Sequence, residues 1–304
     1  MSNVIVECVP NFSEGRIEAT LVAIESALTS VAQVFLLGRE SDPDHNRSVY
    51  TIAGPPDAVC EAAVRAVGIA STHIDLTRQT GEHPRLGAAD VVPFVPVSNI
   101  TVEECAELAW KAGEQIWQRH GVPVYFYEAA AKIPARVKLE DVRRGQFEGL
   151  LAELKLNSDR APDLGTGQLH PTAGATIVGA RKFLIAYNIN LQTNRLDIAK
   201  AIAKKIRTSS GGLAHVKAMG VMLHSRQLAQ VSMNLTDFET TSIYTVYDAV
   251  SREAAACGVT VAGSELIGLI PRRAVEMGFA EAMKLERFRH GSVLENALDA
   301  KLNV

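Results

Sequence analysis

The sequence predicts an α/β (α+β) fold of two ferredoxin-like βαββαβ subdomains, each a mainly antiparallel sheet covered by helices, which together form a cleft. The first observation is size and composition: 304 residues, 47% apolar and 21% charged, suit one large or two ordinary domains with real cores. The second is the order of strand-like and helix-like periods in the first half, which gives a split βαβ pattern. The third is that this order recurs in the last third of the chain.

The first subdomain is predicted for residues 1–178. Its first strand covers residues 4–10 and ends at Pro10, and the helix that follows has apolar residues every three or four positions from Ile17 to Leu28. Thr101 and Glu104 form a capping-box pattern at the start of a later helix. The remaining predicted elements are strands at 34–37, 48–54, 91–97 and 122–127, and helices at 58–70 and 101–119.

The second subdomain is predicted for residues 179–304. Its strands are expected at 183–191, 216–223, 228–235 and 259–263, and its helices at 196–206 and 243–256. Before it, residues 130–163 are rich in charge and poor in apolar periodicity. We expect this region to be a connection over the surface, with most of its charges in solvent.

Charge and composition exclude several functional classes. The net charge of −3 gives no basic surface for nucleic acid, and no run approaches the roughly 18 apolar residues of a membrane helix. The N-terminus lacks the basic and apolar regions of a signal peptide. Four scattered cysteines predict reduced thiols in the cytoplasm. The eight histidines contain no His-x-x-x-His pair, so no metal site is predicted.

The stretch Gly81–Asp90 is the strongest candidate for chemistry. It combines one imidazole, two carboxylates, one guanidinium and two glycines between a helix and a buried strand. His83 can take and give a proton near neutral pH, and Pro84 restricts its backbone to extended values. The alternative is a loop histidine that is bonded to a neighbouring carboxylate and has no chemical role.

A second candidate segment has three glycines among hydroxyl and amide side chains, so that its backbone can approach a flat ligand closely. It contains no Gly-Lys-Ser/Thr ending and therefore is not a phosphate loop. An ordinary interdomain turn is the alternative. The segment consists of Gly165, Thr166, Gly167, Gln168, Leu169, His170, Pro171, Thr172, Ala173 and Gly174.

Five sequence blocks resemble the glutamate formimidoyltransferase family. They are residues 6–15 (VECVPNFSEG), 45–51 (HNRSVYT), 81–88 (GEHPRLGA), 179–186 (GARKFLIA) and 230–235 (QVSMNL). The similarity extends from residue 4 to about residue 271, nearly the whole chain. Several long blocks in one order are far more specific than any single short motif.

The resemblance implies transfer of the formimino group from N-formimino-L-glutamate to N5 of tetrahydrofolate, the co-substrate. It places the catalytic proton acceptor on His83 and the folate contact on residues 165–174. The chain departs from the family at Ala173, where relatives carry a bulky aromatic, and at Glu40, where an Asp is familiar. In animals the family is fused to a cyclodeaminase, which we expect here as a separate polypeptide. A homodimer is also expected.

Substrate contacts are assigned by charge. Arg47 and Arg85 are candidates for the donor's carboxylates, although each could instead form a structural ion pair. Asn11 either bonds substrate or caps the next helix. The carboxylates that could hold the amidinium are Glu40, Glu82 and Asp90. Two competing functions remain: folate-dependent formyl transfer with glutamate, and non-catalytic folate binding.

Overall fold

The computed structural model describes residues 4–276 and 283–302. The chain divides into two compact units, Met1–Arg181 and Lys182–Val304. Each unit contains a sheet, and together these sheets confirm the predicted α/β class with two helix-covered sheets.

Unit 1 contains seven strands and five helices among its described residues. The strands are β1 (Ile5–Cys8), β2 (Asn11–Phe12), β3 (Phe35–Asp42), β4 (Arg47–Gly54), β5 (Ala89–Ser98), β6 (Val124–Glu128) and β7 (Thr176–Ala180). The helices are α1 (Glu18–Thr29), α2 (Pro56–His73), α3 (Val102–His120), α4 (Leu139–Val142) and α5 (Gln146–Glu153).

Four strands of unit 1 form the ferredoxin-like arrangement. The sheet runs β5–β1–β4–β3 with every pair antiparallel, so the first and third strands of the motif are central. β2 continues β1 after Val9 and Pro10, and it pairs with the same two neighbours, β4 and β5. Because β4 and β5 both begin near β2, residues at those two strand starts lie close together.

The sheet of unit 1 is wider than predicted, because β7 was not predicted. β7 pairs in parallel with β5 on one side and with β6 on the other. The predicted antiparallel pairing therefore holds for the four ferredoxin-like strands, whereas the β5–β7–β6 end of the sheet is parallel. All five residues of β7 are buried, so its sequence lacks the alternation that marks a strand with one exposed face. β7 directly follows the glycine segment and places the end of that segment beside the start of β5.

Helices α1, α2 and α3 pack side by side on this sheet. α3 begins as its sequence predicts: the Thr101 hydroxyl accepts from the Glu104 N–H, and the Glu104 carboxylate accepts from the Thr101 N–H. It ends at Gly121, whose φ of 64° is the left-handed value that favours glycine. Its buried stripe includes Leu108 and Ile116.

The prediction for residues 130–163 was wrong in part. The segment forms α4, α5 and a 3₁₀ turn at Pro134–Arg136, and Val142, Phe147 and Leu150 belong to the core of unit 1. It is therefore a packed layer of the domain, and three of its arginine side chains are mostly buried: Arg136, Arg143 and Arg160.

Unit 2 repeats the ferredoxin-like order. Its strands are β8 (Ile185–Leu191), β9 (Val216–Leu223), β10 (Leu228–Leu235) and β11 (Val261–Ile267), arranged β11–β8–β10–β9 with all pairs antiparallel. Its helices among the described residues are α6 (Leu196–Ile206), α7 (Ile243–Ala256), α8 (Arg272–Glu276) and α9 (Leu294–Leu302). Ile202 and Val250 are among the core residues contributed by α6 and α7.

Candidate functional site

The loop that carries His83 lies between α2 and β5 and packs on the turn between β3 and β4. The Glu82 N–H donates to the Asp44 carbonyl at 3.2 Å. A Cβ added to Gly81 would lie 2.3 Å from the His45 carbonyl oxygen, so only glycine allows this approach. This packing places the imidazole rings of His45 and His83 near each other, with their centroids 6.0 Å apart.

Arg47 connects three segments of the site. It donates from Nε and Nη2 to Asn11 Oδ1 at 3.0 and 2.5 Å, and from Nη1 to Asp90 Oδ2 at 3.0 Å. The same Nη1 lies 2.9 Å from His83 Nδ1. Arg47 and Asp90 stand at or next to the first residues of β4 and β5, so the sheet register itself brings these side chains together.

Asp90 is the anionic centre of the cluster and has no solvent exposure. Its Oδ1 accepts from the Leu86 N–H at 2.8 Å, while Oδ2 accepts from both Arg47 and Arg143. Burial alone would raise the pKa of Asp90, but the two guanidiniums outweigh burial and hold this pKa below its usual value. Asp90 is therefore ionised and already satisfied, which favours an organising role over a direct contact with an amidinium.

His83 is a neutral base in this environment. Burial, and next the positive charges of Arg47 and Arg143, hold its pKa well below the usual range. The ring therefore carries one proton at neutral pH.

Two contacts compete for His83 Nδ1. Arg47 Nη1 is always a donor, and the Pro84 carbonyl, 2.7 Å from Nδ1, is always an acceptor. Only the tautomer protonated on Nδ1 can bond to Pro84, and only the tautomer protonated on Nε2 can accept from Arg47. His83 Nε2 is thus a free base only while Nδ1 donates to Pro84.

The glycine segment is joined to the His83 loop by backbone hydrogen bonds. The Ala88 N–H donates to the Ala173 carbonyl at 2.9 Å, and the Ala175 N–H donates to the Leu86 carbonyl at 3.2 Å. Gly174 has a φ of 69°, and a Cβ there would lie 2.1 Å from the Leu86 oxygen. The structure thus brings the two segments that the sequence singles out into one backbone ladder within unit 1.

The glycine segment has a closed end and an open end. At the closed end His170 and Gly174 exchange backbone hydrogen bonds, and His170 Nδ1 accepts from the Ala173 N–H at 3.0 Å. At the open end Thr166 and Gln168 are exposed. Gly167 between them has a φ of 85°, and a Cβ there would meet no atom within 4 Å. Leu169, Ala173 and Gly174 are buried, whereas Pro171 is exposed and Thr172 half-buried.

Two protein-family models match the chain and together span most of it. The model described as the N-terminal subdomain of the formiminotransferase domain matches residues 5–181, and the model described as the formiminotransferase domain matches residues 186–290. The chain belongs to the formiminotransferase family. The family that the five sequence blocks predict is therefore confirmed.

Two microbial relatives share this similarity over nearly their whole length, and a longer animal relative shares it over about half. The glutamate formimidoyltransferase of Streptococcus pyogenes serotype M1 is 47% identical over 295 residues, 97% of this chain and 98% of the relative. That of Thermoplasma acidophilum is 40% identical over 301 residues, 99% of each chain. The formimidoyltransferase-cyclodeaminase of Sus scrofa is 43% identical over 277 residues, which are 89% of this chain and 51% of the longer protein.

The sequence also assigns Asn11, Glu82 and Glu40 to substrate binding. The structure of this formiminotransferase-family chain places these three residues in different surroundings. Asn11 is held by Arg47 and also donates to the Val9 carbonyl, so it does not cap α1. Glu82 is exposed beside His83, and Glu40 is exposed on β3 opposite Val49 of β4.

Arg85 makes its side-chain contacts with residues other than those that surround His83. It pairs with Glu148 of α5 and donates to the carbonyls of Leu76 and Gln79. These contacts favour the structural ion pair over the role in carboxylate binding.

Sequence reasoning missed Arg143. It lies in the connection between α4 and α5, only 12% of its side chain is exposed, and it reaches Asp90 across 53 positions of the chain. Nothing local marks it, because Arg144 beside it is exposed and the region is charged throughout. The sequence analysis named only Arg47 and Arg85 as candidate cations, and no local pattern links Arg143 to the buried Asp90.

Two further observations concern other functional classes. Among residues 4–276 and 283–302, no three His, Cys, Asp or Glu side chains are grouped as a metal site would require. Over the same residues, none of the helices combines the length and hydropathy needed to span a bilayer.

Proposed function

We propose that this protein transfers the formimino group of N-formimino-L-glutamate to N5 of tetrahydrofolate, yielding 5-formiminotetrahydrofolate and L-glutamate in histidine degradation. The names of the two microbial relatives that match the whole chain support this reaction. The observation that carries the proposal is His83, a neutral imidazole held in a buried cluster with Arg47, Asn11 and Asp90.

The reaction needs one group that both takes and gives a proton. The attacking amine must lose a proton as it bonds to the amidine carbon, and the departing nitrogen must gain one. A neutral imidazole between the two nitrogens serves both steps, typically contributing ~10²–10⁴-fold. Nδ1–H donation to Pro84 leaves Nε2 free to accept the first proton and to deliver it to the leaving nitrogen. No protein nucleophile is required when both substrates are bound together.

We assign the remaining groups by their exposure and contacts. The segment 165–174 supplies the folate contact, chiefly through its open end, because the backbone at Gly167 is accessible to a flat ring. Arg47 and Asn11 contact the donor, and exposed Glu82 or Glu40 faces the positive amidinium. Arg85 holds the loop in place through Glu148 and two backbone carbonyls.

The competing functions have less support. Formyl transfer would use the same imidazole and folate contact, but the names of the relatives favour formimino transfer. A non-catalytic folate-binding protein would have no use for a half-buried neutral imidazole held beside Arg47 and the Pro84 carbonyl.

The proposal extends to assembly and location. A cytoplasmic homodimer is proposed, and the cysteines agree with a reducing compartment: Cys8, Cys60 and Cys105 are buried free thiols and Cys257 an exposed one. A separate cyclodeaminase is proposed to consume the product. Light scattering of the purified protein, alone and mixed with that enzyme, tests both associations.

A spectrophotometric assay of 5-formiminotetrahydrofolate tests the reaction. Formiminoglutamate and formylglutamate are offered as competing donors, and we expect transfer from the first. The His83→Gln variant should lose ~10²-fold or more in kcat. His73→Gln, which changes an exposed histidine of α2, is the matched control. Transfer from formylglutamate alone would replace the proposed donor, and full activity of His83→Gln would move the proton transfer elsewhere.

A further inference from the structure

Arg143 has unused hydrogen-bonding capacity in a mostly buried position. A guanidinium carries five N–H donors, and within the described part of the chain Arg143 uses one of them, towards Asp90 Oδ2. Its Nε is buried and has no partner there. Buried donors without acceptors are costly, and more so when the group is charged. The contacts of Arg143 therefore fit a side chain that completes its hydrogen bonds with an anion.

The cluster carries an excess of positive charge. Arg47 and Arg143 share one oxygen of Asp90, whose other oxygen faces the Leu86 N–H. His83 is neutral and contributes no charge. Two guanidiniums against one carboxylate leave one positive charge, and both arginine side chains are nearly nine-tenths buried. Arg143 in turn lowers the pKa of Arg47, after the effect of burial, so the two cations repel each other.

We propose that Arg143 and Arg47 together form a carboxylate subsite and that its ligand is the α-carboxylate of the formimino donor. This inference rests on the proposed function. Two guanidiniums on one side of a buried acid offer the charge-assisted hydrogen bonds that recognise a carboxylate. Arg47 supplies the link to the reacting atoms, because its Nη1 is 2.9 Å from His83 Nδ1.

The choice of the α-carboxylate follows from the donor's covalent structure. The α-carbon bears both the leaving nitrogen and the α-carboxylate, so whatever receives this carboxylate must adjoin the group that protonates the nitrogen. The side-chain carboxylate lies two methylenes further away and can bind elsewhere. Arg85 is a poorer receptor, because Glu148 and the carbonyls of Leu76 and Gln79 already occupy both of its terminal nitrogens, and only its buried Nε has no partner among the described residues.

Three donors and three variants test the subsite. The donors are N-formimino-L-glutamate, N-formimino-2-aminobutyrate, which keeps only the α-carboxylate, and N-formimino-4-aminobutyrate, which keeps only the other one. The variants are Arg143→Met, Arg143→Lys and, as the matched control, Arg144→Met at the exposed neighbouring position. kcat and KM are measured for each pair, together with KM for tetrahydrofolate.

We expect Arg143→Met to lower kcat/KM about 10–100-fold for the two donors that have the α-carboxylate, mainly through KM. Its effect on the 4-aminobutyrate donor should be less than threefold, because that donor has no group for Arg143 to bind. KM for tetrahydrofolate should stay within twofold of wild type, as should every parameter of Arg144→Met. The kcat/KM of Arg143→Lys should lie between those of wild type and Arg143→Met. Lysine keeps the positive charge but lacks the planar guanidinium that can donate two N–H groups to one carboxylate.

An equal loss for all three donors would overturn the subsite and leave Arg143 with a purely structural role. The absence of any loss would overturn it as well. Circular dichroism identifies a misfolded Arg143→Met, and the same selective pattern is then required of Arg143→Lys. Failure of wild type to transfer from formiminoglutamate is a different result, because it rejects the proposed function itself.

Discussion

Replacing Asp90 with Asn removes the one negative charge of the buried cluster and almost none of its volume. Asp90 Oδ1 accepts from the Leu86 N–H, and Oδ2 accepts from Arg47 and Arg143. An amide has a single acceptor oxygen. Whichever way the new amide turns, either the Leu86 N–H or both guanidiniums lose their acceptor and face an NH₂ donor.

The expected loss of stability is large. Removing one partner of a buried ion pair costs about 3–5 kcal/mol, because it leaves an uncompensated buried charge. Asp90 is fully buried and has two such partners, although 13% and 12% of the side chains of Arg47 and Arg143 remain in contact with solvent. Residual hydration and the retained amide oxygen place the expected loss at about 3 kcal/mol, a large part of the 5–15 kcal/mol typical of a domain.

Tryptophan fluorescence in urea measures this loss for unit 1 alone. The two tryptophans of the chain, Trp110 and Trp117, both lie on α3 in unit 1. Glu148→Gln serves as the control, since its pair with Arg85 has a carboxylate that is 62% exposed, and it should cost less than about 1 kcal/mol. A loss below 1 kcal/mol for Asp90→Asn would refute the reasoning, since the carboxylate would then not be compensating buried charge.

Three further predictions concern the loop, the imidazole and the two units. Gly174→Ala should cost at least about 2 kcal/mol in urea unfolding, because its φ is left-handed and the new Cβ meets the Leu86 carbonyl; Gly149→Ala in α5, where a Cβ meets nothing, should be neutral or stabilising. Folding lowers the pKa of His83, so below about pH 6.5 only the unfolded chain binds a proton at this imidazole. The free energy of unfolding should therefore fall between pH 7.5 and 5.5 by up to about 1.4 kcal/mol more in wild type than in His83→Gln. Equal pH dependence of the two unfolding free energies would contradict a lowered pKa. A fragment of residues 1–181 should keep the secondary structure of unit 1 by circular dichroism and show no transfer, because the family similarity spans both units; measurable turnover would assign the reaction to unit 1 alone.

Local signals were sufficient for most of the fold. The capping box at Thr101 and Glu104 fixes the start of α3, and both residues make the bonds that the pattern requires. Alternation in β9 and β10 and the apolar face of α6 predict the second ferredoxin-like motif. In these strands and in α6, the spacing of apolar residues matches an element that is buried on one face only.

Two features, β7 and the burial of Arg143, could not be predicted from local sequence patterns. β7 is buried on both faces, so its five residues carry no period that distinguishes a strand from a buried turn. Arg143 belongs to a charged stretch, and its burial depends on Asp90, which is distant in sequence. The loop sequence is sufficient to single out His83 as a candidate proton acceptor, but the cluster that lowers its pKa exists only after the sheet has formed.

The cluster around Asp90 also bears on how the protein folds. Its hydrogen bonds join residues 36, 43 and 53 positions apart in the chain. Contacts of this separation incur loop-closure entropy before they contribute any stabilisation, and they slow folding relative to helical contacts. Recovery of catalytic competence after dilution from urea should therefore coincide with the final cooperative phase seen by tryptophan fluorescence. Formation of α2 or α3 at an earlier stage brings none of the four side chains of these hydrogen bonds together.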